Sequence, residues 1–298
     1  MFKIGVITDE VSQELEPSIQ LAERFQLDGL ELRTVKDKGV FDFTPRDIAE
    51  VKAKAEEAGL SICGISAPFY KCELTDEKEI AESLRGLETC LRMAQTFHTK
   101  MIRGFTFWRR KPFEEVLDTI LRRFEEPAAM LKGTGVTLAL EADPSVNASN
   151  ASQLAAVIEG VGSPQIQALW DPGNQLYTPG AEVPYPDGYQ RLRPHIAHVH
   201  LKDAVLNPKG EAVGCAFGRG LVDYPGQFRA LAEDGYDGYV VMETHYRKKG
   251  TLSEELLKRP GGAAFSADGY EPTAECLENL RELLTKQDSA GALEWRLV

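Results

Sequence analysis

Histidine, cysteine and positive charge are all scarce in this chain, and long apolar runs are missing. The five cysteines, Cys63, Cys72, Cys90, Cys215 and Cys276, are odd in number, widely spaced and never in a Cys-x-x-Cys pair. That argues against a disulfide framework or a thiolate zinc site and suits reduced thiols in a cytoplasm. With 34 basic against 46 acidic residues the formal charge is −12. The broad positive field that a phosphate backbone needs is lacking, so no nucleic-acid partner is expected. No apolar run reaches the ~20 residues that span a bilayer, so no membrane partner is expected either. Nothing like Gly-x-Gly-x-x-Gly follows the first strand-like segment, which argues against a dinucleotide-binding sheet. The opening Met1-Phe2-Lys3-Ile4-Gly5-Val6 alternates like a strand, with no secretory leader ahead of it. A cytoplasmic location is therefore expected.

What is present is an ordinary core-forming composition, 43% hydrophobic and 27% charged. Strand-like runs at 2–8, 28–33, 60–66, 100–106, 136–142, 166–171, 195–202 and 238–244 alternate with amphipathic stretches. Those stretches predict helices near 12–26, 45–58, 76–98, 112–133, 149–160, 185–193, 225–234 and 271–285. Start signals support them: Thr44-Pro45 puts proline in a first turn, and Thr75-Asp76-Glu77 is acidic where a helix begins. Eight strands alternating with eight helices predict an α/β chain closed into a (β/α)8 TIM barrel, a fold that takes ~250 residues. Residues 1–298 are thus expected to form a single domain, with loop insertions near 204–221 and 246–268. Both insertions follow strands at the face where barrels keep their active sites.

Strand parity singles out the chemistry. Side chains alternate between the two faces of a strand. In Val136-Thr137-Leu138-Ala139-Leu140-Glu141 one face is apolar and the other ends on Glu141. Gln167 to Asp171 ends on Asp171 with the same parity. Ile196 to Lys202 turns His198, His200 and Lys202 to one side, and Tyr239 to Glu243 ends on Glu243. A barrel gathers these ends around one mouth. Three carboxylates there repel one another and are costly to desolvate without a cation. Each residue has an ordinary alternative: a solvated or salt-bridged glutamate, an Asp-Pro-Gly turn at Asp171, a buried histidine with satisfied hydrogen bonds. The coincidence over four successive strands favours a divalent metal. Its oxygen-rich donors with one imidazole suit Mn²⁺, Mg²⁺ or Co²⁺, with catalytic Zn²⁺ as the alternative.

The ordered set Gly29-Leu30-Glu31-Leu32, Leu140-Glu141, Trp170-Asp171-Pro172-Gly173-Asn174, His198-Val199-His200-Leu201-Lys202-Asp203, Gly218-Arg219-Gly220-Leu221-Val222-Asp223-Tyr224 and Met242-Glu243 resembles the xylose-isomerase-like barrel superfamily. Within it, the set is similar to sugar-phosphate and keto-sugar isomerases and epimerases. The resemblance implies metal ligands Glu141, Asp171, His200 and Glu243, with Glu141 and Glu243 also the acid–base pair working through an enediolate. It selects His200 over His198, which then lies behind the ligands or faces substrate. Ketose 3-epimerases usually carry a histidine three positions after the metal-binding aspartate. Asn174 stands there, able to hydrogen-bond a hydroxyl but not to shuttle a proton.

Substrate contacts are expected from Asn174, His198, Lys202, Arg219 and Glu31, with less support for His245. For Glu31 a structural salt bridge is the alternative; for Lys202, an ion pair with a barrel carboxylate; for Arg219, a solvated place in a flexible lid. Phe69, Tyr70, Phe105, Phe107 and Trp108 could cover the apolar face of a sugar or serve as core. The expected partner is a small-molecule carbohydrate, and a homo-oligomer is compatible. A metal-dependent lyase or dehydratase on a similar substrate is the alternative function. A non-catalytic sugar-binding barrel and an abasic-site endonuclease follow well behind, the latter wanting more histidines and a basic groove.

Overall fold

The computed structural model describes residues 2–289; Met1 and residues 290–298, at the ends of the expected 1–298 domain, lie outside the described residues. Eight short runs form the barrel strands: β1 Lys3–Ile7, β2 Gly29–Leu32, β3 Ser61–Phe69, β4 Met101–Gly104, β5 Thr137–Glu141, β6 Ile166–Trp170, β7 Ile196–Leu201 and β8 Tyr239–Met242. Each pairs in parallel with its neighbours in sequence, and β1 pairs with both β2 and β8, closing the sheet. This is a (β/α)8 TIM barrel.

Alternation sorts the side chains into two layers. Leu138, Leu140, Ala168, Trp170, Val199, Leu201, Val240 and Met242 point outward into one large apolar layer under the helices. Burying each such side chain contributes about 1.5–3 kcal/mol. The intervening residues point inward, where Ile7, Cys63 and Val241 form one small apolar cluster and Met101, Ala139 and Leu169 another. Above them, toward the strand C-termini, the interior turns ionisable.

The main helices are α1 Leu15–Phe25, α2 Pro45–Glu57, α3 Glu77–Phe97, α4 Phe113–Arg123, α5 Ala151–Val161, α6 Tyr189–Leu192, α7 Tyr224–Glu233 and α8 Tyr270–Ser289. Local chemistry sets their starts. Thr44 and Asp47 form a reciprocal capping box on α2 with Pro45 in its first turn. Asp76 accepts the N–H groups of Lys78 and Glu79 at 2.9 and 3.1 Å at the head of α3, a cap worth about 1 kcal/mol. The helix predicted near 185–193 is broken into short turns over Pro184–Gly188, Tyr189–Leu192 and Arg193–His195. Prolines 184, 186 and 194 remove the N–H groups that a continuous helix would need.

The two insertions each form short elements of their own. Asp203–Leu206 and Ala212–Cys215 pair as an antiparallel hairpin. Residues 246–268 carry two short helices, Glu254–Lys258 and Gly262–Ser266. Asp203 ties its insertion down, accepting backbone N–H groups from Gly218, Gly220 and Val222 at 3.0, 2.8 and 3.3 Å. The carboxylate leaves no room beside Gly220, where a Cβ would fall 2.0 Å from Asp203 Oδ1. Among the described residues no helix is long and apolar enough to cross a membrane.

Candidate active site

A cavity of about 1050 Å³ opens at the C-terminal end of the barrel. Its floor is Arg103, Glu141, Asn174, Lys202, Glu243 and His245, and residues 253–260 of the last insertion form part of its wall. Asp171 and His200 lie immediately behind the floor, buried, through their contacts with Lys202 and Glu243.

Glu141, Asp171, His200 and Glu243 each offer one donor atom, and these four atoms lie within 4.8 Å of one another. Strand geometry puts them there, since each closes or follows the inward face of β5, β6, β7 or β8. Asp171 divides its labour. Its Oδ1 caps the short helix Pro172–Leu176 by accepting Asn174 N–H at 3.1 Å, leaving Oδ2 turned inward. Both the turn and the inward carboxylate anticipated for Asp-Pro-Gly are therefore present in one residue.

Two observations bear on whether this set fits a divalent cation. His200 Nδ1 is buried with no hydrogen-bond partner, and so is Asp171 Oδ2, which lies 2.8 Å from Lys202 Nζ but not in hydrogen-bond geometry. Buried polar atoms are rarely left unpaired without a reason such as an absent ion. Three carboxylates and one imidazole are also the donors a hard or borderline divalent ion takes. The set fits.

Basic side chains stand among these donors and balance their charge. Lys202 Nζ lies 2.7 Å from Glu243 Oε2. Arg33, at the end of β2, gives Nη1 to Glu243 at 2.8 Å, Nη2 to Glu10 at 2.8 Å and Nε to Asp9 at 3.0 Å. Arg103 on β4 reaches Glu141 at 3.2 Å and Glu243 at 3.5 Å. Asn174 donates to Glu141 Oε1 at 2.8 Å and to the Ala142 carbonyl at 3.0 Å, so it braces one carboxylate of the set.

The electrostatics follow from burial and these neighbours. Burial works against the Glu243 carboxylate, yet Lys202, His245 and His200 outweigh it and hold Glu243 well below the usual carboxylate range. Asp171 is pushed up to about 7, first by burial and then by the negative charges of Glu243 and Glu141, with Lys202 opposing. Burial depresses His200, but Glu31 and Glu243 prevail and raise it to about 10. Lys202 stays protonated, held well above its ordinary value by Asp171 and Glu243 despite burial.

Several expected substrate contacts stand elsewhere. Glu31 and His198 are buried inside the barrel and do not line the cavity. Glu31 Oε2 faces His198 Nε2 at 2.7 Å, because inward parity at a mid-barrel position points into the core and not into the mouth. Arg219 is exposed and off the cavity, since its glycine run is wrapped around the Asp203 carboxylate. Asn174, Lys202 and His245 do line the cavity. Of the aromatics, Phe105 and Trp108 line it, whereas Phe69, Tyr70 and Phe107 stack on one another at 4.0 and 4.2 Å in the outer core. Arg33, Arg103, Asp9 and Glu10 went unremarked in the sequence. The signal for the two arginines was the same parity, extended from Glu31 to Arg33 and from Met101 to Arg103. Asp9 and Glu10 follow β1 in a single helical turn, Thr8–Val11, where parity gives no guide.

Fold and site together define a parallel barrel with a carboxylate–histidine centre at its mouth. The chain belongs to the xylose isomerase-like TIM barrel family, whose model matches residues 19–282. It is 23% identical to an inosose dehydratase of Serratia proteamaculans over 222 residues, covering 67% of this chain and 74% of that protein. Among solved structures it superposes on the IOLI protein with a bound zinc atom at a TM-score of 0.73 and 16% identity, covering 96% of this chain and 99% of that one. D-psicose 3-epimerase with D-tagatose from Clostridium cellulolyticum H10 gives a TM-score of 0.72 and 17% identity, covering 95% and 99% of the two chains. At these identities the structural likeness speaks for the fold alone.

Proposed function

We propose that this chain is a divalent-metal-dependent enzyme that moves the proton next to a carbonyl in a keto sugar or sugar phosphate, as an isomerase or epimerase. The observation that carries this reading is the convergence of Glu141, Asp171, His200 and Glu243 at and just behind the cavity floor, with His200 Nδ1 and Asp171 Oδ2 lacking hydrogen-bond partners. Those four residues would hold the cation, which supplies Lewis-acid polarisation of the substrate carbonyl. Manganese, magnesium and cobalt suit the donor set, and the zinc-bound structural neighbour keeps zinc in view.

The chain's own residues do the rest. Glu141 and Glu243 border the cavity, so each can accept or return a proton at a substrate carbon between them. Asn174 keeps Glu141 in one orientation. Arg33, Arg103 and Lys202 pair with Glu243 and stabilise its ionised form. Phe105 and Trp108 present apolar surface against a sugar face and keep water from it. Return of the proton to the opposite face of the same carbon gives epimerisation; return to the neighbouring carbon gives isomerisation.

A second reading is a dehydratase, in which loss of the same proton is followed by departure of a hydroxyl β to the carbonyl. The likeness to inosose dehydratase favours it. So does Asn174, which is already committed to Glu141 and cannot act as a proton carrier. The test is proton exchange in deuterated water, followed by NMR, with the manganese-loaded protein and a panel of keto, aldo, cyclic-polyol-derived and phosphorylated substrates. Deuterium next to a carbonyl, abolished by chelator and by Glu141→Gln or Glu243→Gln, supports the proposal. Net loss of water from the labelled compound assigns the dehydratase. Absence of exchange across the panel with metal bound contradicts both.

A further inference from the structure

Beneath the four donors lie Glu31 and His198, two buried side chains that the proposed chemistry does not use. Glu31 on β2 is fully buried and faces two histidines of β7. Its Oε2 is 2.7 Å from His198 Nε2, and its Oε1 is 2.9 Å from His200 Nε2. Oε1 also accepts the Ser66 hydroxyl. In the closed sheet β2 and β7 are separated by β1 and β8, so these contacts cross the barrel interior. Gly64 of β3 makes room for them: a Cβ there would meet the Glu31 carboxyl carbon at 3.1 Å. The other nitrogen of His200 behaves differently. Nδ1 has no hydrogen-bond partner and lies 3.6 Å from Glu243 Oε2, on the side away from Glu31.

We infer that Glu31 is a positioning residue for the metal ligand His200, holding the proton on Nε2 and fixing the ring so that Nδ1 presents its lone pair to the cation. The inference rests on the metal reading above. An ionised carboxylate can only accept, so each imidazole nitrogen facing Glu31 must be a donor. Once Nε2 is the donor, Nδ1 of the neutral ring is the free lone pair, and that is the nitrogen that approaches Glu243, one of the other three residues of the set. Ligating histidines are commonly held this way through their second nitrogen, which sets the tautomer and raises basicity. Glu31 is itself braced. Ser66 and His198 add two more hydrogen bonds, so three partners hold the buried carboxylate in place. His198 is then the brace of the brace, which explains two histidines on one inward strand face where only one can ligate.

Glu31, His198 and His200 are also close enough to one another to be a metal group in their own right. Their facing atoms, however, already pair as hydrogen bonds, and none of the three lines the cavity. The test titrates the full metal-free chain with Mn²⁺ and Co²⁺ as wild type, Glu31→Gln and His198→Gln. Readouts are stoichiometry, Kd, the Co²⁺ visible spectrum and the melting temperature of the metal-free protein. Glutamine offers one acceptor oxygen and no charge, so the variant cannot accept from both rings as the carboxylate does. The expected result is one equivalent in the wild type and, in Glu31→Gln, affinity weakened about 10- to 100-fold with an altered Co²⁺ spectrum. His198→Gln should weaken binding less.

A second measurement does not depend on a variant folding. Nitrogen-15 NMR of the zinc-loaded wild type should show His200 protonated at Nε2 and metal-bound through Nδ1. The opposite tautomer overturns the inference. So does unchanged affinity in Glu31→Gln, which leaves the metal reading standing. A second metal equivalent lost in Glu31→Gln, with the first unaffected, also overturns it by making Glu31 a ligand. A wild type that takes up no cation removes the metal reading and this inference together.

Discussion

Arg33 is the most heavily committed cation in the molecule, and removing it tests the buried charge balance that the site depends on. Its guanidinium is 3% exposed and lies within 3 Å of Asp9, Glu10 and Glu243. It also stacks on Phe265, with the guanidinium carbon 4.6 Å from the ring centre. Arg33→Met leaves three buried carboxylates short of a counter-charge. Losing one partner of a buried ion pair costs about 3–5 kcal/mol, a large part of a typical domain's 5–15 kcal/mol. Arg33→Lys keeps the charge but not the fork, and should cost about 1–3 kcal/mol from lost charge-assisted hydrogen bonds.

The Arg33→Met deficit should depend on pH in a definite direction. Without Arg33, Glu10 loses the main influence opposing its burial, and its folded-state pKa rises further above the unfolded value. The folded variant then binds a proton that the unfolded chain does not, so its stability grows as pH falls toward that value. Glu10 is already raised by burial in the native protein, with Arg33 the main opposing influence. Between pH 7.5 and 5.5 the deficit should shrink by about 1–2 kcal/mol. Urea unfolding of chelator-treated protein at both pH values measures this. A deficit under about 1 kcal/mol, or one that grows as pH falls, refutes the reasoning.

Three further outcomes are expected. Asp171, pushed up to about 7, and His200, raised to about 10, must both lose their protons to ligate. Manganese affinity should therefore fall about tenfold per pH unit on going down toward 7 and more steeply below it, and calorimetry showing constant affinity from pH 8 to 6 contradicts this. Asn174→Ala frees Glu141 Oε1, so hydrogen exchange into substrate should slow about tenfold or more while the melting temperature of the metal-free protein barely moves. Gly220→Ala forces a Cβ against the Asp203 carboxylate and should destabilise by about 1–3 kcal/mol in urea unfolding; a neutral result would show that the 203–221 insertion is not pinned there.

The barrel was legible because its signal is repeated eight times: apolar alternation, helix starts and strand spacing agree, although the stretch 184–195 is broken into turns and 112–133 forms two helices, Phe113–Arg123 and Glu125–Leu131. The four donors were legible because β5 to β8 each end on an inward ionisable group, and parity is a rule of covalent geometry. Parity does not tell depth. Glu31 and His198 point inward but sit below the mouth, whereas Glu243 and Lys202 sit at it. The pairing of Arg33 with Asp9, Glu10 and Glu243 joins residues up to 210 positions apart, and no local pattern announces such a contact. Arg219 misled for a related reason. A glycine-rich run suggests anion binding, and here the anion it surrounds is the chain's own Asp203.

The most direct test of the metal centre is an anomalous difference map from a crystal soaked in manganese at pH 8. One peak bounded by Glu141, Asp171, His200 Nδ1 and Glu243, with Lys202 Nζ displaced from between Asp171 and Glu243, is the expected result. No peak at the cavity floor, or a peak between Glu31, His198 and His200 instead, would contradict the account.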